Sequence, residues 1–232
     1  MIAGLLRVKD ECRWITRVID SMRPVCDEIF VLDDHSTDGT PELCEQTGAI
    51  VCRSTFTGLD EARDRDYLLN VAQQSKAGWG LFMDGDELLE PGWGDRIRAL
   101  TGGSPDSYKF RFVYLWDRED QMRVDGVYSR IWRQSFFRVL PGQSFMRTNC
   151  GGNFHCGSVP KSLFNNGTAC EARIFHLGYL HREDRVRKYE WYNRVDPNNH
   201  LEDRYRHVVV GDLFPASARF LHGGPLRLQP VA

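Results

Sequence analysis

Two acids separated by a glycine close the stretch Phe82-Met83-Asp84-Gly85-Asp86-Glu87. An apolar run ending in such a pair can hold a hard divalent cation together with substrate phosphates. Mg2+ or Mn2+ takes oxygen ligands and usually needs only one or two protein carboxylates beside phosphate oxygens. Gly85 lets the backbone turn closely around the ion. The plain alternative is a solvated acidic turn. A second cluster, Asp33-Asp34-His35-Ser36-Thr37-Asp38-Gly39-Thr40, also follows an apolar run. Its carboxylates can accept hydrogen bonds from base N–H groups and ribose hydroxyls, or the cluster can serve as an Asx-rich turn. His176 lies inside the run Arg173-Ile174-Phe175-His176-Leu177-Gly178-Tyr179. An imidazole nitrogen is an acceptable Mn2+ ligand, to be weighed against a core histidine satisfied by a carbonyl. Arg182, Arg185 and Lys188 recur every three residues, so they could share a helical face that neutralises a leaving diphosphate.

The elements that must position these residues are readable from period and punctuation. Apolar runs at 2–6, 28–33, 49–53 and 79–84 read as strands, and 11–22, 40–46 and 59–74 read as helices. Pro24 closes the first helix, Thr40-Pro41 reads as an N-cap with proline at the first helical position, and Gly48 ends the second helix. A β-α-β-α-β-α-β order implies a parallel sheet with right-handed crossovers. In such sheets ligands sit beyond the carboxyl ends of the strands. Arg7 to Glu11, Asp33 to Asp38 and Asp84 to Glu87 all fall there. The second half reads as strands at 107–115, within 127–140 and at 171–180, a mixed sheet region, followed by a charged helix over 182–194.

Composition bounds the class. The chain has 232 residues, 41% of them hydrophobic, enough for a sizeable core in one α/β domain. A net charge of −2 gives no reason to expect nucleic acid or an anionic membrane as partner. Seven cysteines, an odd count with no C-x-x-C pair, read as mostly reduced thiols rather than a zinc site. No stretch approaches the ~20 apolar residues of a transmembrane span, and the N-terminus lacks the pattern of a signal peptide, so a cytoplasmic enzyme is the expectation.

DDHSTDGT followed about fifty residues later by FMDGDE resembles the family 2 glycosyltransferases of the GT-A fold. Arg7-Val8-Lys9-Asp10-Glu11 falls where many members carry Thr-Tyr-Asn-Glu, with Glu11 on the glutamate. Arg65-Asp66 matches an Arg-Asn pair of the family. The resemblance covers about residues 1–90. It implies a mostly parallel sheet flanked by helices, with a smaller mixed sheet region on the acceptor side. The halves would be 1–105 for the nucleotide-sugar and 106–200 for the acceptor, with a tail at 201–232. It implies transfer from a UDP-, GDP- or dTDP-sugar to an acceptor the sequence does not name, mostly with inversion, using Mn2+ or Mg2+.

By the same resemblance, Asp33 or Asp34 contacts base and ribose, and Glu11 and the backbone near Arg7 line the nucleoside pocket. Arg65 lies near the diphosphate or donor sugar, Asp84 and Gly85 near ribose and metal, and Asp86 and His176 on the metal. For the base that takes the acceptor's proton, the family's Glu-Asp pair points to Asp184 in Glu183-Asp184. A Gly-x-x-His-Glu stretch points instead to His155 in Gly152-Asn153-Phe154-His155-Cys156, with Cys156 at the glutamate position. Asp117, Glu119 and Asp120, on an expected loop, are further candidates. The alternatives are a nucleotide-sugar-binding protein without transferase activity and a nucleotidyltransferase. The latter should carry a Gly-rich stretch where Arg7-Val8-Lys9-Asp10-Glu11 stands.

Overall fold

A computed structural model describes residues 1–146, 156–197 and 203–231. In the first half β1 (Ile2–Val8), β2 (Glu28–Asp33), β3 (Ile50–Arg53) and β4 (Trp79–Asp84) alternate with α1 (Ile15–Met22), α2 (Thr40–Gln46) and α3 (Glu61–Gln74). The four strands are parallel, in the spatial order β3-β2-β1-β4. The order therefore reverses between β1 and β4, where crossovers leave opposite faces and a crevice opens at the strand ends. β1, β2 and β4 are buried almost throughout, as continuous apolar runs covered on both faces must be. One face packs Ile15, Val18, Ile19 and Met22 of α1 against the sheet. The other packs Leu68, Leu69 and Ala72 of α3 against Ala3, Leu5 and Phe82.

Two details of this half differ from the sequence reading. α1 begins at Ile15 rather than at Glu11, because Glu11 to Trp14 form a turn in which the Glu11 carbonyl accepts from Trp14 and Ile15. The N-cap position of α2 is Gly39, not Thr40: Thr40 is already helical, and its amide donates to Asp38 Oδ1 at 3.0 Å.

β5 (Glu87–Leu89) and α4 (Gly94–Ala99) come next, both too short for a periodic signal. The second half adds β6 (Ser107–Trp116), β7 (Arg118–Arg123), β8 (Trp132–Arg138), β9 (Thr168–His176), α5 (Arg182–Val195) and β10 (Leu228–Pro230). β8 runs antiparallel to β4 and joins this half to the parallel strands in one path, β10-β7-β6-β8-β4-β1-β2-β3. β9 lies parallel to β6 and antiparallel to β5. Glu119 and Asp120 stand on β7 rather than on a loop. Asp117 makes the turn before it.

Candidate active site

β1 and β4 end side by side, with Arg7 opposite Asp84 in the strand register and Val8 opposite Asp33 on β2. A cavity of about 600 Å3 opens there. Arg7, Glu11, Arg65, Asp84, Gly85, Asp86 and His176 all line it.

The acidic turn is fixed from below. Glu87 is fully buried, and its Oε2 accepts from the Asp84 amide at 2.9 Å. β5 then pairs Glu87 with His176 of β9, and the Leu177 amide donates to the Asp86 carbonyl at 2.8 Å. That three-residue strand is what carries a histidine ninety residues downstream to the acidic turn. His176 Nε2 lies 3.5 Å from Asp86 Oδ2. The ring packs among Phe112, Tyr114 and Tyr179. Gly85 serves a different neighbour from the one expected: a Cβ there would stand 2.8 Å from the Glu11 Cγ, so the bare backbone makes room for that side chain.

Cations meet the acids. Asp84 pairs with Arg133 Nη2 at 2.8 Å and Arg65 Nη2 at 3.4 Å, and Arg133 also pairs with Glu87. Lys188 Nζ lies 2.7 Å from Asp86 Oδ2. Burial alone would raise the Asp84 carboxyl, but Arg133 and Arg65 outweigh it and hold the group well below the usual carboxylate range. Asp86 is likewise kept low, against burial, by Lys188 and then His176. Burial lowers the His176 imidazole to about 4, so it stands neutral. Glu11 is pushed up to about 8 by burial and then by Asp86.

Two ionised carboxylates and a neutral imidazole are the donor chemistry of a hard or borderline divalent cation. His176 Nδ1 is buried with no hydrogen-bond partner among the described residues. The residues thus fit such an ion in kind. No three His, Cys, Asp or Glu side chains among the described residues yet stand close enough together to share one, and the nearest charge to Asp86 is the Lys188 ammonium.

Asp33 and Asp34 lie beside the cavity rather than in its wall. Arg7 pairs with Asp34, and Lys9 Nζ donates to the Asp34 carbonyl at 2.9 Å. Asp33 is 2% exposed, and its Oδ1 has no partner among the described residues. Asp184 is not brought to this group. It is buried at the start of α5, paired with Arg13 at 2.9 Å and Arg187 at 3.2 Å. Asp117 is bound to Arg185, Glu119 to Arg17 and Asp120 to Arg118, all outside the cavity wall. His155 lies outside the described residues.

The cationic face expected on α5 is split. Arg185 turns inward, bidentate on Asp212 and stacked 4.2 Å over Trp116. Arg182 is exposed, and Lys188 alone of the three lines the cavity, beside Arg187. Arg133, Glu61, Trp191 and Tyr192 line the cavity too, unannounced by the sequence. Arg133 is one arginine among Arg130, Arg133 and Arg138, and only the register of β8 on β6 tells it apart.

Comparison with known proteins gives the family and the fold. Residues 8–159 match the model of glycosyl transferase family 2, and the chain belongs to that family. An uncharacterized protein of Mycobacterium tuberculosis is 26% identical over 215 residues, covering 85% of this chain and 51% of its own. An uncharacterized glycosyltransferase of Rickettsia felis is 32% identical over 142 residues, covering 57% of this chain and 46% of its own. The chain thus spans about half the length of the curated relatives it matches. Residues 1–349 of Staphylococcus aureus TarS, solved in complex with UDP, superpose with a TM-score of 0.52 at 13% identity, over 91% of this chain and 70% of that one. The fold is that of the GT-A glycosyltransferases.

Proposed function

We propose that the chain transfers a sugar from a nucleotide-diphosphate sugar to an acceptor hydroxyl, with inversion, assisted by Mn2+ or Mg2+. The observation that carries the reading is that Asp84, Asp86 and His176 line one cavity with Arg65, Arg133, Arg187 and Lys188, at the switch point of the sheet. Asp84, Asp86 and His176 would hold the cation. When bound, it offsets the charge that develops on the departing nucleotide diphosphate. The chain's own residues do the rest. Arg65 and Arg133 are anchored on Ser158 Oγ at 3.0 Å each and present fixed guanidinium forks to phosphate oxygens. The buried Asp33 Oδ1, with no partner among the described residues, accepts from the nucleoside.

The test is direct. Thermal unfolding with Mn2+ and UDP, GDP or dTDP picks out the donor nucleotide, since a bound ligand stabilises by RT ln(1 + [L]/Kd). Release of that nucleoside diphosphate from the matching sugar donor then reports transfer, and the anomeric configuration of the product reports inversion. Asp86→Asn should lower turnover on the order of 100-fold or more, the scale of losing an electrostatic partner in the transition state. Wild-type turnover in that variant would sink the reading.

A further inference from the structure

Lys188 addresses the same carboxylate oxygen as His176: Asp86 Oδ2 has Nζ at 2.7 Å and Nε2 at 3.5 Å. The Lys188 and Asp86 side chains are 19% and 5% exposed. Gly178 closes the group. A Cβ there would stand 2.0 Å from Asp86 Oδ2 and 2.8 Å from Lys188 Nζ. The backbone is therefore drawn in around a carboxylate and one positive charge, with no room for a side chain.

The cations on the two acids differ in how firmly they are tied. Arg65 and Arg133 contact Asp84 and are both anchored on Ser158 Oγ. Lys188 has no second anchor: among the described residues Asp86 is the only hydrogen-bond partner of its Nζ. A compact ammonium on a flexible four-carbon stem can leave at small cost in geometry, unlike a clamped guanidinium. What it cannot do is leave Asp86 bare, because a buried carboxylate stripped of its counter-charge is strongly destabilising.

We propose that Lys188 occupies the cation seat on Asp86 in the metal-free protein and surrenders it to the divalent cation, its freed ammonium then turning to the donor's diphosphate. The inference rests on the metal-dependent reading above. Asp86 is compensated at every stage, first by the ammonium and then by the ion. The same arrangement makes Lys188 an intramolecular competitor for the metal, so deleting its charge should tighten metal binding.

Lys188→Met decides the matter. With no nucleotide present, its Mn2+ dissociation constant, read from the paramagnetic resonance of free Mn2+, should fall roughly tenfold or more below wild type. Mn2+ should also raise its unfolding midpoint further than that of wild type. Lys188→Gln repeats both measurements with a polar neutral chain, and a need for Mn2+ in order to fold counts as the expected rescue. A merely structural Lys188 would give a destabilised variant that Mn2+ neither rescues nor binds more tightly, and that result overturns the inference. Equal Mn2+ affinity in all three proteins overturns it alone. Absence of Mn2+ binding in all three, while UDP still binds, removes the metal-dependent reading and this inference with it.

Discussion

Residues 1–89 and residues 107–197 build one cavity by different means. In the first half, Arg7, Asp84 and Asp86 stand in the cavity wall at or just beyond strand ends, where a parallel sheet always presents its loops, with Asp33 and Asp34 beside it at the end of β2. In the second, Arg133 comes from a strand flank, His176 from a strand end brought in by β5, and Lys188 from within a helix. Most of the acids that line the centre, Asp10, Glu11, Glu61, Asp84 and Asp86, belong to the first half, and Glu190 belongs to the second. Two of the cations that satisfy them, Arg133 and Lys188, belong to the second. Lys188 and Asp86 are 102 residues apart in the chain. The first half thus supplies a charged template that is costly until the second half folds onto it, since carboxylates buried together repel one another.

That dependence places the largest effect on the second half's most connected cation. Arg133→Met leaves fully buried Glu87 without its charged partner, keeping only the Asp84 amide, and Asp84 short of one cation. It should cost about 3–5 kcal/mol in urea unfolding, the scale for breaking one side of a buried pair. A loss under about 1 kcal/mol would mean that the first half satisfies its own acids and would break the comparison.

Gly178→Ala is the next step down. The new methyl must push Asp86 and Lys188 apart or shift the backbone of the β9–α5 connection. An overpacking cost of about 1–3 kcal/mol is expected. Calorimetry should show a lowered midpoint. An unchanged midpoint would show that the connection yields freely.

The smallest effect belongs to the first half alone. Asp38 Oδ1 and Oδ2 accept from the amides of Thr40 and Cys12, tying α2 to the loop after β1. Burial works to raise its carboxyl, but bonds from the Thr40 hydroxyl and the Cys12 amide outweigh it and hold the group at about 2. The folded value lies below the ordinary 3.8, so the unfolded chain binds the proton first as pH falls. The contribution is complete above the unfolded value and is lost as pH drops through the folded one. Asp38→Ala should therefore cost about 1 kcal/mol at pH 7, the scale of losing a side-chain bond to a helix's first amides, and progressively less as pH falls through the folded value of about 2. A pH-independent difference in unfolding free energy would show that the carboxylate charge is not what ties the loop.

The comparison also explains what could be read from the residues. The four parallel strands, α2 and α3 were legible because each is long enough to show an apolar run or a 3.6 period, or is bounded by Pro24, Thr40-Pro41 or Gly48. With them came the places of Asp33, Asp34, Asp84 and Asp86. β5 and α4 are three and six residues long, and β7 reads Arg-Glu-Asp-Gln-Met-Arg, with no alternation of apolar and polar positions. The roles of Arg133 and Lys188 are set by register and by packing across about half the chain, which no local pattern records. Asp184 and Arg185 show the converse: promising charges whose partners, Arg13 and Asp212, lie far away in sequence.

The pairing of β8 on β4 has a consequence for handling the molecule. β4 carries the acidic turn at its end, and on one side it is hydrogen-bonded to β1. Separating the halves near residue 105 would strip β8 away and leave β4 as an open edge of Trp79, Leu81 and Phe82, apolar on both faces. An uncovered edge of that kind recruits other chains. The first half is thus not a portable module. Expressed alone, it is a nucleus for edge-to-edge association, and the strand that guards against it is the one that carries Arg133 to Asp84.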